Sequence, residues 1–179
     1  SGKDLVAIPW SRIVAADGDD EDSDSGYEES QVFLSAPANE MYTNVLAQLQ
    51  PADTDEPVTD ADGMAQLVIL MEYVKMVKEE SKQGQYLNAF ERLVGLVAAM
   101  KNDSFWAECD TGQQVYDLIG ELSQTVAVVH HAVVQHDLLA SVDMGQFMMM
   151  LHDLEMQLES LGLEVAISEL ITGDADDSS

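Results

Sequence analysis

The four histidines are the side chains in this sequence that could most readily bind a metal ion or transfer a proton. His130 and His131 are adjacent, so on a helix they point about 100° apart and do not easily share one ion. His136 and His152 are each followed by an aspartate, a pair also found in metal-dependent phosphohydrolases, but neighbours on a regular helix diverge. The Glu-x-x-His spacing of di-iron helical bundles precedes none of the four. We therefore expect structural or surface roles for the histidines, and neither a metal site nor a cofactor.

The single cysteine, Cys109, is a poor candidate for a nucleophile. It lies between Glu108 and Asp110, and neighbouring carboxylates raise the pKa of a thiol. The sequence contains no glycine-rich phosphate-binding loop, no serine-centred nucleophile elbow and no Walker-type lysine. One cysteine also excludes an internal disulfide and a multi-cysteine zinc site. These observations predict a protein that is not an enzyme.

Acidic residues are the most unusual chemical feature of the chain. Its 34 Asp and Glu residues outnumber 7 Lys and Arg residues, which gives a formal net charge of −27. The 62 residues between Arg12 and Lys75 hold fifteen acids and no Lys, Arg or His, and eight of these acids fall between Asp17 and Glu29. Charge of this sign accelerates encounters with basic surfaces and repels nucleic acids and anionic membranes. We therefore expect no direct binding to nucleic acid and no membrane association.

The acidic charge is concentrated in the N-terminal third of the chain. Pro9 disfavours a helix in the apolar N-terminal peptide, and the Asp, Ser and Gly residues that follow cannot bury enough apolar surface to fold by themselves. Four parts are predicted: an extended apolar peptide with an acidic, disordered arm (1–34), a short helix with an acidic linker (35–63), a helical bundle domain (64–173) and an acidic tail (174–179).

Apolar residues at alternating spacings of three and four predict the helices. The segments concerned are a short helix over 36–50, longer helices over 61–82, from Tyr86 to about Met100, and over 112–140, a helix capped by Ser141, and a short last helix over 163–172. The apolar seam of the helix over 112–140 is expected to continue to His136 and Ala140. Seams of this period are typical of helices that cross at shallow angles. The predicted fold is all-α: an antiparallel helical bundle of four to six helices with an acidic, largely irregular N-terminal arm.

Three groups of residues are candidates for binding a partner. Met149 and Met156 flank His152 on one helical stripe, and flexible thioethers re-pack against varied partners, although a helix buried on two faces would show the same pattern. The complete candidate set consists of the apolar residues Ile8 and Trp10, the acidic residues Asp19, Asp20, Glu21, Asp22, Asp24, Glu28 and Glu29, and the stripe of Met149, His152 and Met156.

The favoured functional hypothesis is a non-enzymatic protein-binding protein that covers a basic or nucleic-acid-binding surface of its partner, such as an assembly or secretion chaperone or an inhibitor. One alternative is a structural or scaffold subunit of a larger assembly, for example a viral one, whose seams pair between chains as in a homo-oligomer. A second alternative is adaptation to high salt, which the clustering of acids before residue 63 disfavours. The sequence shows neither a signal peptide nor an apolar run long enough to span a membrane, so we expect a location in the cytoplasm of a cell or host cell.

Overall fold

The computed structural model of the chain describes residues 5–13, 27–49, 60–102 and 112–160. The elements in chain order are strands β1 (Val6–Ile13) and β2 (Tyr27–Leu34), helices α1 (Ala36–Leu49), α2 (Asp60–Lys82), α3 (Tyr86–Asn102) and α4 (Gly112–Gln135), a 3-10 turn (Leu139–Ser141) and helix α5 (Met144–Ser160). The predicted helical bundle is therefore confirmed, with a small two-stranded sheet added to it. Residues 14–26, which hold most of the predicted acidic arm, and the predicted last helix over 163–172 lie outside the described residues.

The first three helices begin and end close to the predicted bounds because their termini carry recognisable signals. At the start of α1, Ser35 Oγ accepts a hydrogen bond from the Ala38 amide at 3.4 Å, as a helix-capping serine does. Gly84 ends α2 with a φ of 94°, a left-handed conformation that glycine adopts without steric cost. The amide of Gln85 then donates to the carbonyl of Glu80 at 3.1 Å, which closes the helix end and starts the reversal into α3.

Helix α4 is shorter than predicted, and the expectation that its seam includes His136 and Ala140 is wrong. Asp137 has a φ of 59°, and the Leu138 amide donates to the Val133 carbonyl at 2.8 Å. These two features form a left-handed helix end, so the helical periodicity stops at Gln135. His136 and Ala140 are both exposed as a result. The predicted seam residues before this point are all buried: Val115, Ile119, Leu122, Val126, Val129 and Val133.

The cap of α5 also differs from the prediction. Asp143, and not Ser141, precedes the first helical turn, and its Oδ1 accepts a hydrogen bond from the Gln146 amide at 3.0 Å. The Asp143 carbonyl accepts a second one from the Phe147 amide at 3.2 Å. Ser141 lies instead in the 3-10 turn that joins the left-handed end of α4 to α5.

Helix α3 is the centre of the bundle. Every residue from Leu93 to Lys101 is buried, since α1, α2, α4 and α5 all pack against this helix. Gly95 allows α1 to approach closely, because a Cβ atom at this position would lie 2.1 Å from the carbonyl oxygen of Ala38. The first turn of α1 is thereby fixed against α3. Only Ser35 separates α1 from the end of β2, so β2 is fixed with it.

Strands β1 and β2 form an antiparallel hairpin that the sequence analysis did not predict. Their Cα register runs from Val6 opposite Leu34 to Ile13 opposite Tyr27. The face toward the helices buries Ile8, Trp10, Val32 and Leu34, and the opposite face exposes Ala7, Pro9, Ser11, Glu29, Gln31 and Phe33. The described part of range 1–34 is thus a sheet packed on the bundle, and β2 occupies residues that the prediction assigned to the arm.

Candidate functional site: a hairpin that carries the acidic segment

The most acidic part of the chain connects the two strands of the hairpin. Residues 14–26, here called the acidic segment, connect Ile13 to Tyr27, and these two residues are Cα partners in the sheet. The acidic segment contains six Asp and Glu residues and no base, and Glu28 and Glu29 follow it in β2. Opposed Cα atoms in an antiparallel pair are about 4.5–5.5 Å apart, so both ends of the acidic segment start at the same end of the sheet.

A buried polar cluster, here called the tryptophan latch, fixes the hairpin to the bundle. The indole Nε1–H of Trp10 donates to Asp153 Oδ2 of α5 at 2.7 Å, and both residues are 1% exposed. The ammonium of Lys101 lies 4.8 Å from the centroid of the Trp10 ring and donates to the Ser11 carbonyl at 2.6 Å. Burial lowers the pKa of Lys101, and the nearby charge of Asp153 partly offsets this effect. Strand β1 is therefore held by α3 and α5 together.

The outer edge of β1 is occupied by side chains of α3. In an antiparallel pair, the main-chain groups of alternate residues point away from the neighbouring strand. In β1 these residues include Pro9 and Ser11, whose carbonyls accept hydrogen bonds from Asn102 Nδ2 at 3.3 Å and from Lys101. Proline has no N–H to leave unpaired at such an edge.

The outer edge of β2 is occupied at one residue only among the described contacts. The Phe33 amide donates to Gln146 Oε1 at 3.0 Å, and Gln146 Nε2 donates to the Phe33 carbonyl at 2.9 Å. The carboxamide of Gln146 thus takes the place of a residue in a third strand. Gln31 and Glu29 follow along the same edge and line an open groove of about 510 Å³ with Ser30 and Phe33.

The structure places the predicted binding residues in three different environments. Ile8 and Trp10 are 5% and 1% exposed, so in this conformation they form the hairpin core and are not presented to a partner. Alternation along β1 explains their burial, because Pro9 and Ser11 between and beside them point to the outer face. A docking role for Ile8 or Trp10 would require the hairpin to leave the bundle.

The acidic candidates lie at the hairpin end or outside the described residues. Glu29 is exposed. Of Glu28 only the main chain is described, as part of β2. The other acidic candidates, Asp19, Asp20, Glu21, Asp22 and Asp24, belong to the acidic segment outside the described residues.

The methionine stripe on α5 is partly core. Met149 is half-buried and packs against the hydrophobic core, Met156 is half-buried, and His152 between them is exposed. The stripe therefore lies at the boundary between the bundle interior and its surface. Its role as a binding strip stays a prediction.

The remaining chemistry-bearing side chains are scattered. Burial and the adjacent His131 lower the pKa of His130, and His136 stacks on Tyr86 with ring centroids 4.2 Å apart. Within the described ranges, no group of three or more His, Cys, Asp or Glu residues could hold a metal ion. Cys109 lies outside the described residues.

Two further findings bear on what the chain is. No helix in the part of the chain that the structure describes is long and apolar enough to cross a membrane. Comparisons with protein-family models, with curated proteins and with solved structures find no match for this chain.

Proposed function

We propose that this chain is a protein-binding protein that engages a basic surface of its partner through the acidic segment and the adjoining Glu28 and Glu29. The observation that carries the proposal is the pairing of Ile13 with Tyr27 in a hairpin that is latched to the bundle. This pairing brings the two ends of the acidic segment to one end of the sheet, and residues 17–29 contain eight acids. A concentration of negative charge raises the rate at which a basic partner is met.

The bases of the bundle offset this charge only weakly, because several of them have internal partners. Lys78 forms an ion pair with Glu121, and Arg92 Nη1 lies 3.2 Å from Glu80 Oε2. Lys101 is buried in the tryptophan latch. These contacts pair three of the bases with groups of the chain itself, which supports a surface that attracts basic groups.

Matched charge variants test the proposal. The segment variant carries Asp19→Asn, Asp20→Asn, Glu21→Gln and Asp22→Asn. The body variant carries Glu→Gln at Glu40, Glu72 and Glu79 and Asp→Asn at Asp137, which are four exposed positions outside the hairpin. Both variants remove the same amount of negative charge, so they differ only in where the charge is lost.

Binding of a fluorescein-labelled peptide of about eight lysines is measured by fluorescence anisotropy in low and moderate salt. Exposed ion pairs contribute about 0.5 kcal/mol each, so the segment variant should lose about 2 kcal/mol, or about 30-fold in Kd. The body variant should stay within about threefold of the wild type, because its charges belong to the helical body and not to the acidic segment or the hairpin. Equal losses in both variants would show that total charge alone attracts the peptide, and the proposal would be abandoned.

A further inference from the structure

The outer edge of β2 offers main-chain hydrogen-bonding groups next to the acidic segment. We propose that this edge binds an extended, basic strand of a partner protein, which adds to the hairpin as a third strand. The inference rests on the proposed function and specifies how the partner is held. Charge would bring the partner to the hairpin end, and main-chain pairing along β2 would then fix its orientation.

The hydrogen bonds of Phe33 show which groups of β2 face outward. Both its N–H and its C=O are bound by Gln146, so Phe33 directs its main chain away from β1. Residues two and four positions earlier, Gln31 and Glu29, must direct theirs the same way. No described residue forms a hydrogen bond with the main chain of Gln31 or Glu29 along this edge. An unpaired edge of this kind is a template for another strand.

Gln146 also sets where an incoming strand begins. Its carboxamide occupies the pairing position at Phe33, so an added strand would start beside Gln31 and run toward Glu29 and the acidic segment. The opposite edge of the sheet does not offer the same opportunity, because Asn102 and Lys101 already bind the outward carbonyls of β1. Among the described residues, the edge of β2 is therefore the one at which another strand could form main-chain hydrogen bonds.

The surface beside this edge is open to an approaching strand. The groove of about 510 Å³ is lined by Glu29, Ser30, Gln31 and Phe33, and the Phe33 side chain is 47% exposed. Side chains on directly opposed strands interact on the same face of a sheet. A Lys or Arg opposite Glu29 would complement the outer face.

Charge identifies the occupant as basic. A second copy of this chain would place a second Glu29 and a second acidic segment against the first, and each copy carries a net charge of −27. The chain's own residues 161–173 contain Glu164 and Glu169 and no base, so they would also bring like charge to the edge. A basic strand is the occupant that gains from both the edge and the acids beside it.

The test uses the full-length protein and a labelled peptide of about eight alternating Lys and Val residues. Two further peptides carry N-methyl groups, one on all Lys residues and one on all Val residues, with the same charge and length. Methylation removes N–H donors from one edge of the peptide strand only. We expect one methylated peptide to bind about tenfold more weakly than the parent and the other to bind within about twofold.

A pair of protein variants provides the complementary measurement. Gln31→Pro removes the outward N–H of β2 and should weaken binding of the parent peptide about tenfold. Gln31→Ala keeps that N–H and should bind within about twofold of the wild type. Amide hydrogen exchange at Glu29 and Gln31 should be fast in the free protein and slow in the complex. The methylated peptides leave the protein unchanged, so a folding defect of the proline variant cannot decide the outcome.

Several results would overturn the proposal, and they separate it from the proposed function. If all three peptides bind equally to wild type and Gln31→Pro, while the segment variant loses affinity, the charge-based function holds and the strand pairing is wrong. If no peptide binds, both are wrong. Slow exchange at Gln31 in the free protein would show that the edge is already covered by the chain itself. A wild-type dimer that Gln31→Pro converts to a monomer would assign the edge to a second copy.

Discussion

Replacing Trp10 with phenylalanine tests whether the tryptophan latch holds the hairpin on the bundle. The substitution keeps an aromatic ring in the core but removes the indole N–H that donates to Asp153 at 2.7 Å. A buried hydrogen bond to a charged group contributes about 1.5–3 kcal/mol. The smaller ring loses about 1 kcal/mol of packing, and its weaker attraction for the Lys101 ammonium loses about 0.5 kcal/mol. Trp10→Phe should therefore lower the free energy of unfolding by about 3–4.5 kcal/mol.

A double-mutant cycle isolates the hydrogen bond from the change in packing. Asp153→Asn retains an oxygen acceptor for the indole but removes the charge that strengthens the hydrogen bond and attracts Lys101. We expect it to destabilise the protein by about 2 kcal/mol, because charge-assisted hydrogen bonds are about twice as strong as neutral ones. The two changes act on one contact, so their effects should not add, and the coupling energy should be about 1–2 kcal/mol.

Urea unfolding, followed by far-ultraviolet circular dichroism, gives the four free energies of the cycle. They are measured for the wild type, both single variants and the double variant. The reasoning is refuted if the coupling energy is below about 0.3 kcal/mol, since the indole and the carboxylate would then contribute independently. Hydrogen exchange along β1 and β2 adds a local readout. Both strands should exchange faster in Trp10→Phe, with α2 and α4 less affected, if the latch acts mainly on the hairpin.

The remaining predictions concern the bundle itself. Gly95→Ala should destabilise the protein by at least about 1–2 kcal/mol because its Cβ would lie 2.1 Å from the Ala38 carbonyl oxygen, whereas Gly120→Ala, with nothing within 4 Å, should stabilise its helix by about 0.5–1 kcal/mol. Urea midpoints check this pair, and stabilisation by both alanines would contradict the close approach of α1 to α3. Asp137→Gly should raise the free energy of unfolding by about 0.5–1 kcal/mol, measured in the same way, because glycine adopts the φ of 59° without strain. Burial and the adjacent histidine lower the pKa of His130 in the folded protein. When the pH falls below the ordinary pKa of histidine, the unfolded chain therefore binds more protons than the folded one, and stability falls as the pH decreases. The difference in free energy of unfolding between wild type and His130→Gln should therefore change between about pH 7.5 and pH 5, and a constant difference would contradict the shift.

The helices could be predicted from the sequence because their signals are local. Apolar residues three and four apart mark the buried face of α1, where Met41, Val45 and Leu49 are all in the core. Ser35 precedes α1, where its hydroxyl caps the helix. Gly84 follows α2, where the chain needs a positive φ. Such features depend on residues within one or two turns, so they can be recognised without knowledge of the tertiary structure.

The end of α4 could not be predicted for a specific physical reason. The apolar spacing continues through His136, and nothing in the side chain of Asp137 requires a left-handed backbone, which glycine or asparagine would have indicated more clearly. The hydrogen bond from Leu138 to Val133 closes the helix although the sequence pattern continues. Periodicity therefore extended the prediction by about one turn beyond the true end.

The hairpin was missed because its stabilising contacts are distant in sequence. Alternation around Pro9, with Ile8 and Trp10 on one side, is a strand signal, but the acidic residues that follow are typical of a disordered arm. The partner of the Trp10 indole is Asp153, which is 143 residues away. No local pattern shows that these two groups meet, and without that contact the segment reads as a free peptide.

Holding the acidic segment at both ends changes what it can do. A free arm can reach a basic group at many distances from the bundle, whereas a loop whose two ends start about 5 Å apart extends at most about half its contour length, on the order of 20 Å. A basic partner of the kind proposed above would therefore be kept close to Glu29 and to the outward main chain of Gln31. Its second contact would be intramolecular, with a raised effective concentration, so weak pairing along a short edge could still select an extended basic strand. The same acids on a free arm would attract basic surfaces equally well but would not bring them to the edge of β2.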